Sequence, residues 1–142
     1  MPTRKARASW EGSLKEGSGK ISLESGSCEP SYSFGSRFEA GGGSNPEELL
    51  AAAHAGCFAM ALSLALGQAG FTPERIVAEA RVTIEPAGGG FAIRSSHLSC
   101  EARVPRIDAA TFAQHAEATK LGCPVSKALG SIEITLDAHL AT

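Results

Sequence analysis

The 142-residue sequence has no Cys-x-x-Cys pair among its four cysteines, no Gly-x-Ser-x-Gly and no cluster of basic residues. Each absence narrows the chemistry. Structural zinc sites usually offer four ligands in paired spacings, so His54, Cys57 and Cys123 make an incomplete set and no metal or other cofactor is expected. Without a nucleophile elbow or a convincing Ser/His/Asp arrangement, hydrolase chemistry has little support. A formal net charge of −2 with no basic patch argues against nucleic acid as a partner. The opening MPTRKARASW is basic, but no apolar run follows it, so it does not read as a secretory signal. The four cysteines are therefore read as those of a reducing cytoplasm, where thiols are catalytic, metal-binding or packed rather than a disulfide framework. Repeats and low-complexity tracts are also missing, and the length fits a single domain over residues 1–142.

What is present centres on residues 44–70, SNPEELLAAAHAGCFAMALSLALGQAG. Asn45 is a good N-cap, Pro46 suits the first helical position, and Glu48 stands where a capping box places a carboxylate. No charged residue occurs from Leu49 to Leu66, and Gly67, Gly70 and Pro73 supply the stop. The run is long enough to be weighed as a membrane span, but His54, Gly56, Ser63 and its many alanines favour a central helix of a soluble fold. A helix apolar on nearly every side must be buried on nearly every side.

Around this helix the pattern is mostly strand. Residues 4–14 and 20–24 alternate on either side of Glu16-Gly17-Ser18-Gly19 and read as a hairpin. Residues 26–36 are rich in Gly, Ser and Pro and read as a loop with a short extended piece near Tyr32–Phe34. The run Gly41–Gly43 lacks the lysine of a phosphate-binding loop and reads as a flexible lead into the helix. After the helix, Ile76, Ala78, Ala80, Val82 and Ile84 mark a half-buried strand. Residues 91–104 return, but their apolar phase switches between Ile93 and Leu98, which predicts a bulge or bend near Arg94–His97. Residues 107–120 form a second helix capped by Asp108, with Ile107 and Phe112 as its hydrophobic staple. Gly122-Cys123-Pro124 starts a third, short helix, and Ile132 to Leu140 alternate as a closing strand. This order predicts an α+β fold, an antiparallel sheet packed on the long central helix. One sheet cannot cover a helix apolar all round, so a homodimer is expected.

The four thiols sit in different surroundings. Cys100 lies on the apolar phase of a strand and reads as packing. Cys28 is in a polar loop with no evident partner. Cys123 stands at a helix start, where backbone N–H groups favour a thiolate. Cys57 is mid-helix in apolar company, and burial alone raises a thiol's pKa. It becomes reactive only with a cation beside it. Arg37, just ahead of the helix, is a candidate; the alternative is a surface arginine with its stem against Phe38. Glu48 is explained as a cap, which leaves Glu47 as ordinary first-turn acid or as a functional group. Glu47 precedes Cys57 by ten residues, about 15 Å along a straight helix, so the two cannot serve one site from the same helix, whereas a second subunit packed antiparallel could bring its Glu47 to this Cys57. His54 is a helix-surface neighbour of Cys57.

Trp10-Glu11-Gly12, Ser36-Arg37-Phe38-Glu39, Asn45-Pro46-Glu47-Glu48-Leu49, Ala52 to Phe58, Ala69-Gly70-Phe71-Thr72-Pro73, Gly122-Cys123-Pro124-Val125-Ser126 and Glu133 to Asp137 together resemble the OsmC/Ohr family of bacterial thiol peroxidases, the OsmC branch in particular. The resemblance implies an intertwined homodimer with active sites at the subunit interface, reducing organic hydroperoxides and, less efficiently, hydrogen peroxide. It implies that Cys57 is the peroxidatic cysteine, Cys123 the resolving one, and Arg37 and Glu47 their assistants. It also implies an external dithiol reductant, of the lipoyl type, and no bound cofactor. The sequence departs from the family pattern in the loop before Arg37 and the glycine run after it. An apolar lining from Phe58, Met60 and their neighbours would suit an organic peroxide. The competing expectation is a binding or redox-sensing protein of this fold whose thiols are not catalytic.

Overall fold

The computed structural model describes residues 1–141. The chain forms two compact units, one ending at Leu49 and one from Leu50 onward.

In the first unit, β1 (Ala6–Glu11), β2 (Ser18–Leu23) and β3 (Ser31–Tyr32) make an antiparallel sheet in that order. The hairpin read from the alternation is present, with Trp10 opposite Gly19. Trp10 also meets Tyr32, ring centroids 5.3 Å apart.

The stretch read as loop continues into a short helix, α1 (Phe34–Phe38). Its signal is a reciprocal cap. Ser33 Oγ accepts from the Ser36 N–H, and Ser36 Oγ accepts from the Ser33 N–H. Serine at both ends substitutes for the usual Ser/Glu pair. The glycine run after α1 is a tight corner rather than a loose lead. Gly43 has φ +108, and a Cβ there would lie 2.8 Å from the Ser31 carbonyl oxygen. A residue with a side chain would be strained in conformation and crowded in space.

The long helix α2 (Pro46–Gln68) begins in the first unit and runs into the second. Asn45 caps it: its Oδ1 accepts from the Glu48 N–H at 2.8 Å, while its Nδ2 donates to the Ser36 carbonyl at 2.9 Å. At the other end Phe71 N–H reaches the Leu66 carbonyl and Gly70 N–H the Gly67 carbonyl, with Gly70 at φ +91. That is a Schellman stop, and Phe71 packs on the core behind it.

The second unit holds β4 (Arg75–Ala87), β5 (Gly90–Arg103), α3 (Ala109–Gly122), α4 (Pro124–Ala128) and β6 (Glu133–Leu140). The expected bulge is there. Thr83 pairs with Ser95 and Ile84 with Ile93, so Arg94 is the extra residue, and the apolar phase of β5 changes across it. β4 and β5 are antiparallel, but β6 runs parallel to β5. The reason is the connection: α3 and α4 carry the chain back to the starting end of the sheet, as a parallel pair requires.

Phe58, Leu62 and Leu66 of α2 are fully buried with Leu98, Cys100, Ala102, Val104, Ile107, Phe112 and Ala116. The other side of α2 is bare: Met60 is 78% and Leu64 63% exposed. By length and composition α2 could also cross a membrane.

Candidate active site

The two units each hold part of the predicted residue set. In the first, the reciprocal cap of α1 also fixes where Arg37 points. Ser36 Oγ donates to the Ser44 carbonyl at 2.7 Å, and Asn45 holds the Ser36 carbonyl, so α1 is tied to the entry of α2. Arg37 Nε and Nη2 then donate to Glu47 Oε1 and Oε2, each at 3.0 Å. The contact is bidentate, which fixes the plane of the guanidinium as well as its position. Glu47 is only 6% exposed. The Arg37 guanidinium also lies 5.2 Å from the centre of the Phe38 ring. Glu48, by contrast, is a helix-start residue whose carboxylate accepts from Ser44 Oγ at 3.5 Å. Next to Arg37, the residues Trp10, Leu14, Tyr32, Phe34 and Phe38 line a cleft of about 390 Å³. Phe58 is buried in the core and Met60 is exposed; two residues apart on a helix, they face opposite ways.

In the second unit the two thiols meet. Cys57 hydrogen-bonds with the Cys123 side chain and receives the Val125 backbone N–H, and both cysteines are free thiols. The sequence separates them by a strand pair and a helix; the start of α4 returns Cys123 to the middle of α2. Loss of water pushes the Cys57 thiol pKa up first. The Val125 N–H counteracts this, and Cys123 adds a further upward push. Among the described residues of this unit the net push on the Cys57 pKa is upward, away from the thiolate.

Cys123 is the N-cap of α4. Its sulfur accepts from the Ser126 N–H at 3.4 Å and contacts Ser126 Oγ at 3.1 Å. Ser126 Oγ in turn lies 2.8 Å from His54 Nε2, and His54 Nδ1 lies 2.7 Å from Ser96 Oγ. His54 is fully buried, and burial lowers its pKa, so it stands as the neutral imidazole. Both of its nitrogens are engaged by hydroxyls, which leaves no lone pair directed at a metal. Among the described residues no three His, Cys, Asp or Glu side chains form a metal-holding group. Ser96 and Ser126 were not singled out from the sequence. Ser96 carries a signal, however: it stands on the same phase of β5 as Leu98, Cys100 and Ala102, and a hydroxyl on a core face needs a partner. Ser126 stands three residues after the N-cap, the position of a capping-box partner.

Cys100 is 3% exposed in the core and its thiol is pushed up to about 11, chiefly by burial. Cys28 is exposed. Both fit the readings made from their sequence neighbours.

A sequence profile described as "OsmC-like protein" matches residues 39–137. The Peroxiredoxin OsmC of Escherichia coli (strain K12) is 51% identical over 138 residues, covering 96% of each chain. The chain belongs to the OsmC-like family. Solved structures agree in fold. The organic hydroperoxide resistance protein OhrB of Bacillus subtilis superposes with a TM-score of 0.72 at 24% identity, over 94% of this chain and 97% of that one. An OsmC-like protein from Mycoplasma pneumoniae gives 0.75 at 16% identity, over 99% of both. In this OsmC-like chain, the stretch before residue 39, which carries Arg37, lies outside the profile match, while Glu47, Cys57 and Cys123 lie within it.

Proposed function

We propose that this chain is a cysteine-based peroxidase that reduces organic hydroperoxides to alcohols. The observation that carries the reading is the meeting of two free thiols, Cys57 from α2 and Cys123 from the start of α4, in hydrogen-bonding contact. Two sulfurs so placed need little movement to become a disulfide. The kinship with a protein named a peroxiredoxin supports the same reading.

In this mechanism Arg37 is the cation that the Cys57 thiol requires, and Glu47 holds its guanidinium planar. The Cys57 thiolate attacks the distal oxygen of the hydroperoxide. The O–O bond breaks, the distal OH stays on sulfur as the Cys57 sulfenic acid, and the alkoxide leaves as alcohol with the proton that the Cys57 thiol gave up. Cys123 condenses with it, releasing water and forming a disulfide. An external dithiol, of the lipoyl type, restores both thiols. The apolar cleft beside Arg37 supports preference for an organic hydroperoxide over hydrogen peroxide. The exposed Met60 and Leu64 side of α2 supports a homodimer, and four free cysteines support a cytoplasmic location.

The test is turnover. With dihydrolipoamide as reductant and tert-butyl hydroperoxide as oxidant, the wild type consumes both in equal amounts and Cys57→Ser consumes neither. Turnover that survives in Cys57→Ser would overturn the assignment. Bound apolar ligand with no consumption would favour a binding protein of this fold.

A further inference from the structure

His54, a buried titratable group, has no part in the mechanism above. His54 is fully buried between two hydroxyls, on the same helix as Cys57 and one turn before it. From Ser96 Oγ the contacts run without a gap: 2.7 Å to His54 Nδ1, 2.8 Å from His54 Nε2 to Ser126 Oγ, and 3.1 Å on to Cys123 Sγ. Cys123 then meets Cys57. All these residues belong to the second unit. Among the described residues no buried side-chain nitrogen or oxygen lacks a partner, so every polar atom of the row is satisfied by its neighbours.

A buried imidazole between two serines is costly to place and has no obvious packing advantage over an apolar residue. Its row ends on the sulfur that must lose a proton. We propose that Ser126 and His54 form a proton relay for Cys123, with Ser126 as the group that takes the thiol proton and His54, oriented by Ser96, as the base behind it. The inference rests on the peroxidase reading, and it concerns only its second step.

Proton and electron accounting is direct. With its proton on Nδ1, facing Ser96, His54 accepts the Ser126 hydroxyl proton at Nε2 as Ser126 Oγ takes the Cys123 S–H proton. The Cys123 sulfur attacks the sulfur of the Cys57 sulfenic acid. An S–S bond forms and the S–O bond breaks. Cys123 sulfur is oxidised and Cys57 sulfur is reduced to the disulfide level. Hydroxide leaves and is protonated to water, and the imidazolium releases the proton it had taken, so no net proton is consumed. Burial disfavours the imidazolium, so His54 starts as the neutral form that can accept and gives the proton back once the disulfide has formed. Ser126 touches the reacting sulfur and is catalytic in this sense; His54 and Ser96 act through it as positioning residues.

The experiment separates the two chemical steps. Reduced protein is mixed with one equivalent of tert-butyl hydroperoxide and quenched over milliseconds to minutes. Dimedone traps the sulfenic acid, and mass mapping counts sulfenic acid and Cys57–Cys123 disulfide. In Ser126→Ala the ratio of the disulfide-forming rate to the hydroperoxide-consuming rate falls roughly 10²-fold, the lower range of general-base effects. Sulfenic acid on Cys57 accumulates. In Ser96→Ala, which leaves both thiols' immediate neighbours in place, the same ratio falls by a smaller factor. An unchanged ratio in both variants, or equal slowing of the two steps, would overturn the relay, because loss of packing alone does not single out the second step. A wild type that leaves the hydroperoxide intact would instead sink the peroxidase reading, and the relay with it.

Discussion

Breaking the Arg37–Glu47 pair has a cost that can be worked from its geometry. Two charge-assisted hydrogen bonds, both 3.0 Å, join the partners. Each such bond contributes about 1.5–3 kcal/mol when shielded from water. The Glu47 side chain is 8% exposed but the Arg37 side chain is 34% exposed, so water takes over part of the guanidinium's bonding when the carboxylate is gone. Fully exposed pairs contribute about 0.2–1 kcal/mol. The pair lies between these limits, and a coupling of about 1–2 kcal/mol is expected. Glu47 also sits in the first turn of α2, where its charge favours the helix by about 0.3–1 kcal/mol independently of Arg37. A single substitution mixes the two effects; a double-mutant cycle with Arg37→Ala and Glu47→Ala removes the helix contribution. Glu47→Ala alone should lower Tm by roughly 4–8 °C. Its rate of Cys57 oxidation should fall roughly 10²-fold, as expected when a positioning group swings free. Denaturant titration of the four proteins gives the coupling. A value below about 0.3 kcal/mol, comparable to the usual error of additivity, would refute the claim that Glu47 holds the guanidinium.

Three other outcomes follow from named contacts. Cys123→Ser should still consume one equivalent of hydroperoxide but stop at the Cys57 sulfenic acid, detected by dimedone labelling and mass. Asp108 caps α3 by accepting the Thr111 N–H at 2.7 Å, and this bond lowers its pKa. A depressed carboxyl pKa gives stability that is present above the unfolded value near 4 and lost as pH falls through the folded one. The Tm gap between wild type and Asp108→Ala should therefore be open at pH 6 and close in acid; a gap that persists at the lowest pH would contradict the cap. Met60→Asp puts a charge on the bare side of α2; sedimentation should show a dimer for the wild type and a monomer for the variant, without loss of helix content, and a monomeric wild type would contradict the proposed homodimer.

Long-range order and local caps were legible in the sequence to different degrees. The uncharged run from Leu49 to Leu66 and the Asn45 and Gly70 signals located α2 at both ends. The phase switch after Ile93 located the bulge that the structure has at Arg94. The five-residue α1 was hidden because its Gly- and Ser-rich composition favours loops, and only the paired serines 33 and 36 marked it. Strand direction is not written in an alternating pattern, so the expected antiparallel sheet did not include the parallel approach of β6, which the two-helix connection before it produces. Glu47 could be separated from Glu48 because Glu48 already had a role as a cap. The hydroxyls beside His54 could not be paired with it, since they lie 42 and 72 residues away on other elements.

The central claim is that Cys57 and Cys123 are the redox pair, and mapping the cysteines after a single turnover tests it most directly. Reduced protein receives one equivalent of tert-butyl hydroperoxide, and its thiols are then alkylated and located by mass. The account predicts loss of two thiols within seconds as a Cys57–Cys123 disulfide, with Cys28 and Cys100 still free. Four alkylated thiols beside intact hydroperoxide would contradict it.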